Sequence, residues 1–309
     1  MSMRGSNWLA LLLLLSAGVA HAEDLADQKW AFPWGDGARA LGRLDPNESD
    51  AEGPASFLVN ELGETLVLDQ VGSRIARFDK RGHFIDSIAL PGTSYMEMDQ
   101  LPNGRLLLLD RLVKRTILLV DELLGVVEEY PVEGELIDDS GAVTAMFVRD
   151  DGLWLEVSHT YSVRVLGLDW LPCARVLVPG RPARAGPASL VARLASPHAL
   201  HIALQDGMGR ATWSQELVYA DSIERIVWVE DLVDGRTVVV VHTRNESTGK
   251  EYLRATRLTA SGKVEAAGEV PYVVAIWYLQ RDVRIRRDGS LLRMWYDDSG
   301  VHIDDWRLP

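Results

Sequence analysis

The sequence predicts an all-β fold: a six-bladed β-propeller of four-stranded antiparallel blades, closed by an N-terminal strand. Three observations predict it. A strand–turn–strand figure recurs along the chain, it recurs at a period of about 40–50 residues, and the last unit lacks a strand that the N-terminal segment can supply.

The figure is a turn ending in or near glycine, followed by a short β-prone run. Gly63 precedes 65–69, Gly104 precedes 106–110, Gly152 opens 153–157, Gly235 precedes 237–241 and Gly289 precedes 291–295. Successive glycines lie 41, 48, 83 and 54 residues apart. The 83 equals two ordinary steps, so one degenerate unit is expected between Gly152 and Gly235. Arg193-Leu194, the turn-like Ser196-Pro197-His198 and the run 200–204 supply it. Six units with room for four strands each favour a propeller over a sandwich. The blades are placed at 53–92, 93–139, 140–186, 187–222, 223–271 and 272–309 of one propeller domain spanning 23–309. The last shows three strand runs and then the chain stops. Trp30 and Phe32, near 29–32, fall on one side of an extended segment, which is expected to pair as the missing outer strand and remove exposed edges.

The first unit carries a family resemblance. Gly53-Pro54-Ala55-Ser56-Phe57-Leu58-Val59, Leu66-Val67-Leu68-Asp69, Arg74-Ile75-Ala76-Arg77-Phe78-Asp79 and Gly82 resemble one NHL repeat end to end. The second unit echoes it with Leu109-Asp110, Arg115-Thr116-Ile117 and Val120-Asp121, so the match is specific over 53–131. The block 69–74 is also similar to uncharacterised exported bacterial proteins of this type. The resemblance implies the fold and frequent partner binding, with no one activity.

Residues 1–22 read as a secretory signal peptide. Arg4 gives a positive start, 8–15 an apolar core, and Ala20-His21-Ala22 a small-x-small cleavage site. The apolar run falls short of the ~20 residues a bilayer requires. The expected address is therefore periplasmic or extracellular, with no membrane insertion after cleavage. Cleavage would leave 31 basic against 45 acidic residues. Such a surface disfavours nucleic acid, whose capture depends on Lys and Arg. Cys173 is the only cysteine, so no internal disulfide forms and the core must carry the stability.

Several residues invite chemistry. Asp69 with Arg74, and Asp110 with Arg115, each flank the turn between strands 2 and 3 of a blade. A carboxylate–guanidinium pair there would order the loop, and its recurrence with the repeat marks it as structural. His159 and His242 each lie seven residues beyond their turn glycines, on the rim of the strand 2–3 turns. With Trp34, Trp277 and Tyr278 they are the ligand-face candidates. The two histidines are a thin signal for zinc, since no short ligand spacing accompanies them. The acidic segment 45–53 alternates oxygen ligands, which suggests calcium, but it departs from the EF-hand pattern at Asp50 and Ser56. No G-x-S-x-G elbow, phosphate loop or dinucleotide fingerprint is present. The sequence thus reads as an exported, non-catalytic recognition or scaffold propeller. It would bind a peptide, protein or glycan on one face. The alternative is a metal-dependent lactonase, hydrolase or lyase with a divalent ion in the central channel.

Overall fold

The computed structural model describes residues 26–45, 51–121, 125–184, 186–273, 280–286 and 288–309. The leader 1–22, the pair Trp277-Tyr278 and most of the acidic segment 45–53 lie outside them. Six four-stranded antiparallel sheets stand in a ring.

The first strand among the described residues, β1 (Ala26–Pro33), belongs to the last sheet. The first sheet follows as β2 (Ser56–Val59), β3 (Thr65–Asp69), β4 (Arg74–Phe78) and β5 (Phe84–Ala89). The second holds β6 (Glu97–Gln100), β7 (Leu106–Asp110), β8 (Thr116–Asp121) and β9 (Gly125–Pro131). The third holds β10 (Val143–Arg149), β11 (Gly152–Val157), β12 (Tyr161–Leu166) and β13 (Pro172–Pro179). The fourth holds β14 (Arg181–Pro182), β15 (Ser189–Ser196), β16 (Ala199–Gln205) and β17 (Ala211–Val218). The fifth holds β18 (Ser222–Asp231), β19 (Thr237–Arg244), β20 (Glu251–Leu258) and β21 (Val264–Pro271). The sixth holds β22 (Val283–Ile285), β23 (Leu291–Asp297) and β24 (Gly300–Trp306), completed by β1 against β24.

Second strands read as unbroken apolar runs because both of their faces are buried between neighbouring blades. In β7, Leu106 and Leu108 pack into the core shared with the first sheet. Leu107 and Leu109 point the other way, into the core shared with the third. Val238 and Val240 of β19 likewise face one neighbour while Val239 and Val241 face the other. Outer strands such as β13 and β21 alternate or expose their side chains.

The closing strand runs antiparallel to β24 from Ala26↔Trp306 to Pro33↔Gly300. Trp30 and Phe32 bury themselves in the core between the sixth and first sheets. A Cβ at Gly300, whose φ is +155°, would lie 2.1 Å from the Phe32 carbonyl oxygen, so only glycine lets β1 approach there.

The degenerate blade is framed differently from the sequence reading. Ser196-Pro197-His198 joins β15 to β16, so it is a strand 2–3 turn, not the strand 1–2 turn expected. The inner strand is β14, two residues long and ending in proline, and the fourth sheet starts at 181 instead of 187. A two-residue strand has no periodicity to read, which shifted the frame by one strand.

Candidate functional site

Turns in these sheets alternate between two ends of the ring. At one end lie the strand 2–3 turns, where the sequence placed the ligand face. Asp69, fully buried, accepts from Arg74 Nε at 2.8 Å and from the amides of Gly42 and Gly72. Arg74 also donates to the carbonyls of Gly37 and Ala40, tying down the segment after β1. The second expected pair does not form. Asp110 is filled by the amides of Leu112, Val113 and Lys114 and by the Ser94 hydroxyl. Arg115 turns instead to Glu133, at 3.1 Å. Three turn amides occupy the lone pairs that a guanidinium would need.

The two rim histidines are not equivalent. Gly152 opens β11, whereas Gly235 lies in the turn before β19, so the same count of seven ends in different places. His159 stands in the turn after β11, 59% exposed, with Nδ1 3.0 Å from Glu156 Oε2. His242 lies within β19, with Nε2 3.0 Å from Glu251 Oε2 and its ring 4.0 Å from that of Tyr272. Burial pulls the His242 imidazole below its ordinary value, while Glu251 pulls the other way. His302 faces Asp297 at 3.0 Å. Trp34 gives its indole N–H to the Asp297 carbonyl at 2.8 Å and packs edge-on to Tyr296. Each ring finds its acid close by, so the imidazoles do not converge. Among the described residues no group of three or more His, Cys, Asp or Glu is placed to hold a metal ion.

The opposite end holds a cavity of about 810 Å³ on the ring axis; five of the sheets line it, and the fourth blade adds Arg184 from the segment between β14 and β15. Its mouth is formed by strand 1–2 turns, including 60–64, 101–104 and Arg286. These turns repeat one device. Gly63, Gly104, Gly235 and Gly289 each donate N–H to the carbonyl three residues earlier. Each has φ between +79° and +89°, which glycine adopts without strain.

Beneath the mouth, inner strands turn charged and aromatic side chains toward the axis at alternate positions. Glu97 and Asp99 share one side of β6; Phe147 and Arg149 share one side of β10; Trp228 and Glu230 share one side of β18. An innermost strand has backbone groups with no strand beyond it. Glu97 accepts the Met146 amide at 3.0 Å, and Asp99 accepts the Val148 amide at 3.4 Å, covering part of the next blade's edge. Arginines do the same for carbonyls. Arg281 reaches Met146 at 2.8 Å, Arg284 reaches Phe57 at 2.6 Å, and Arg149 reaches Pro182 at 3.1 Å.

The acids are paired with these arginines across blades. Arg281 lies 2.5 Å from Glu97. Arg284 lies 3.5 Å from Asp99. Glu230 meets Arg149 at 3.5 Å and also Arg184, and takes the Trp228 indole N–H at 2.8 Å. Arg181 grips Glu156 through two nitrogens, at 2.6 and 3.2 Å. Two guanidiniums stack on Trp228, Arg281 at 3.7 Å and Arg181 at 4.2 Å from its centroid. Burial pushes the Glu97 carboxyl up, with Arg281 and Arg284 opposing. Burial, then the charge of Arg281, pushes the Arg284 guanidinium down to about 10, so it is still a cation at neutral pH.

Sequence pattern alone does not single out this cluster. Its one legible signal was charge at alternate positions of short inner strands, as in Glu97-Met98-Asp99 and Arg284-Ile285-Arg286.

No family model matches the chain, and comparison with curated proteins finds no match. Solved structures resemble it in fold. A member of the DUF4221 family from Bacteroides vulgatus aligns with a TM-score of 0.51 at 10% identity, covering 92% of this chain and 98% of that one. The WD40 repeats of RRP9 align at 0.50 and 12% identity, covering 86% and 97%. A virginiamycin B lyase from Staphylococcus aureus aligns at 0.46 and 12% identity, covering 86% and 99%. At these identities the likeness speaks to the propeller alone. No helix among the described residues is long and apolar enough to cross a membrane.

Proposed function

We propose that this chain is an exported recognition propeller of NHL-like repeats, which holds a peptide, protein or glycan without transforming it. Of its two faces, the one with the axial cavity is the binding face. Export rests on the leader at 1–22, with its positive start and small-x-small site.

The observation that carries this reading is the condition of the axial carboxylates. Glu97, Asp99 and Glu230 each sit against a guanidinium, and two of them also accept backbone amides. A general acid or a metal ligand needs lone pairs turned toward the reacting group. Here those lone pairs join one blade to the next. A rigid, polar, concave site of this volume suits a ligand-sized group.

Elemental analysis of the purified protein tests the reading. Substoichiometric calcium and zinc are expected. Stoichiometric metal would move the assignment to the metal-dependent lactonase, hydrolase or lyase that the sequence also allows.

A further inference from the structure

The cavity is lined by six arginines, Arg77, Arg149, Arg184, Arg281, Arg284 and Arg286, in a chain whose net charge is −13. Its lining carboxylates number five, Glu61, Glu64, Asp99, Asp150 and Glu230, and Glu97 stands against Arg281, so guanidiniums are concentrated here and set close to acids, on an acidic protein. Arg77 is turned outward to Asp86, at 2.8 Å from Nε. Arg184 is spent on Glu230 and on the Asp231 carbonyl. Of the remaining guanidiniums, Arg284 feels the positive charge of Arg281.

Two of them are buried with donors left over. Arg149 and Arg281 are each only 5% exposed. Arg149 Nη2 and Arg281 Nε have no hydrogen-bond partner, although neither atom reaches solvent. A buried cationic donor without a partner is destabilising, and such groups in a native fold call for an explanation. An anion in the cavity reaches these donors once the two guanidiniums turn toward it, and it would then relieve both the orphaned donors and the mutual repulsion of Arg281 and Arg284.

We propose that the cavity binds the oxyanion group of its ligand, a carboxylate or a phosphate, with Arg149 and Arg281 at its seat and Arg286 at the mouth. This rests on the recognition reading and names the group by which the partner is held. Planar guanidiniums match both oxyanions through paired N–H donors, which is the chemistry the two ligand classes share.

The full chain, in buffer free of phosphate and carboxylates, is titrated calorimetrically with inorganic phosphate and separately with citrate. Chloride at matched ionic strength is the control. Saturable binding of at least one oxyanion is expected. Arg149→Met should weaken it by about tenfold or more, as loss of a charged hydrogen bond does. Arg286→Gln, at a side chain 28% exposed, should weaken it less while leaving the fold intact. Near-ultraviolet circular dichroism reports folding, and if Arg149→Met fails to fold, the Arg286→Gln titration decides. Binding of phosphate alone assigns a phosphorylated ligand, and binding of citrate alone assigns a carboxylate. No saturable binding, an equal response to chloride, or unchanged affinity in the folded variants overturns the proposal. Metal content is a separate measurement. Absent anion binding with absent metal removes only the oxyanion, whereas stoichiometric metal removes the recognition reading itself.

Discussion

At the strand 2–3 rim, acids and bases find partners close by in the chain; at the axial cavity they find them across the ring. Asp69 and Arg74 are five residues apart, and His159 and Glu156 three. Arg149 and Glu230 are 81 apart, and Arg284 reaches the Met98 carbonyl across 186. The chemistry is the same at both ends, but the physical roles differ. A local pair orders one turn. A long-range pair exists only once the ring has closed, and it covers inner-strand backbone that no further strand can reach. The rim is therefore a set of independent caps, while the axis is one connected network.

The comparison breaks most sharply at Arg281. Arg281→Met strips the fully buried Glu97 of the guanidinium 2.5 Å away and leaves it only the weaker pull of Arg284, and a loss of about 3–5 kcal/mol is expected. Urea unfolding midpoints measure it. Adding Glu97→Gln should restore most of the loss, because the second change removes the stranded charge. A single variant as stable as the wild type would mean that the axis is not a network.

Asp69→Ala tests the local side. It strands the Gly42 and Gly72 amides and frees Arg74, so about 1–3 kcal/mol is expected. Amide hydrogen exchange should speed up at the 69–74 turn and the segment after β1, with β6 and β10 unaffected. Spread of the effect to those inner strands would blur the distinction between the two ends.

The smallest expected effect is a pH dependence at His242. Burial holds its folded value below the ordinary imidazole value of about 6.5. Its contribution to stability is therefore present above that pH and is lost as pH falls and the buried ring must charge. Unfolding midpoints compared at pH 7 and pH 5 should differ less in His242→Gln than in the wild type. An equal pH response in both would show that the Glu251 contact cancels the burial.

Asp69 and Arg74 could be paired on paper because their geometry is set by one two-strand turn. Asp110 and Arg115 have the same spacing, yet tertiary and turn contacts reassign both: Ser94 joins the turn amides on Asp110, and Glu133 captures Arg115. The histidine count failed for a related reason. Gly152 starts a strand after a shorter turn, so equal spacing placed His159 and His242 at different heights. Trp34 was visible as an aromatic in an irregular stretch, but its indole is bonded to the sixth blade.

The sequence by itself determined the sheets, their number and the closing strand, because β-pairing of adjacent runs and the two-sided burial of second strands are written in local pattern. Leu106 to Leu109, with faces toward two neighbours, is such a pattern. Only the tertiary structure decided which residues meet at the axis. Arg149, Glu230, Arg281 and Arg284 come from innermost strands or their entries in three different blades, and closing the ring is what brings their charges together around the cavity.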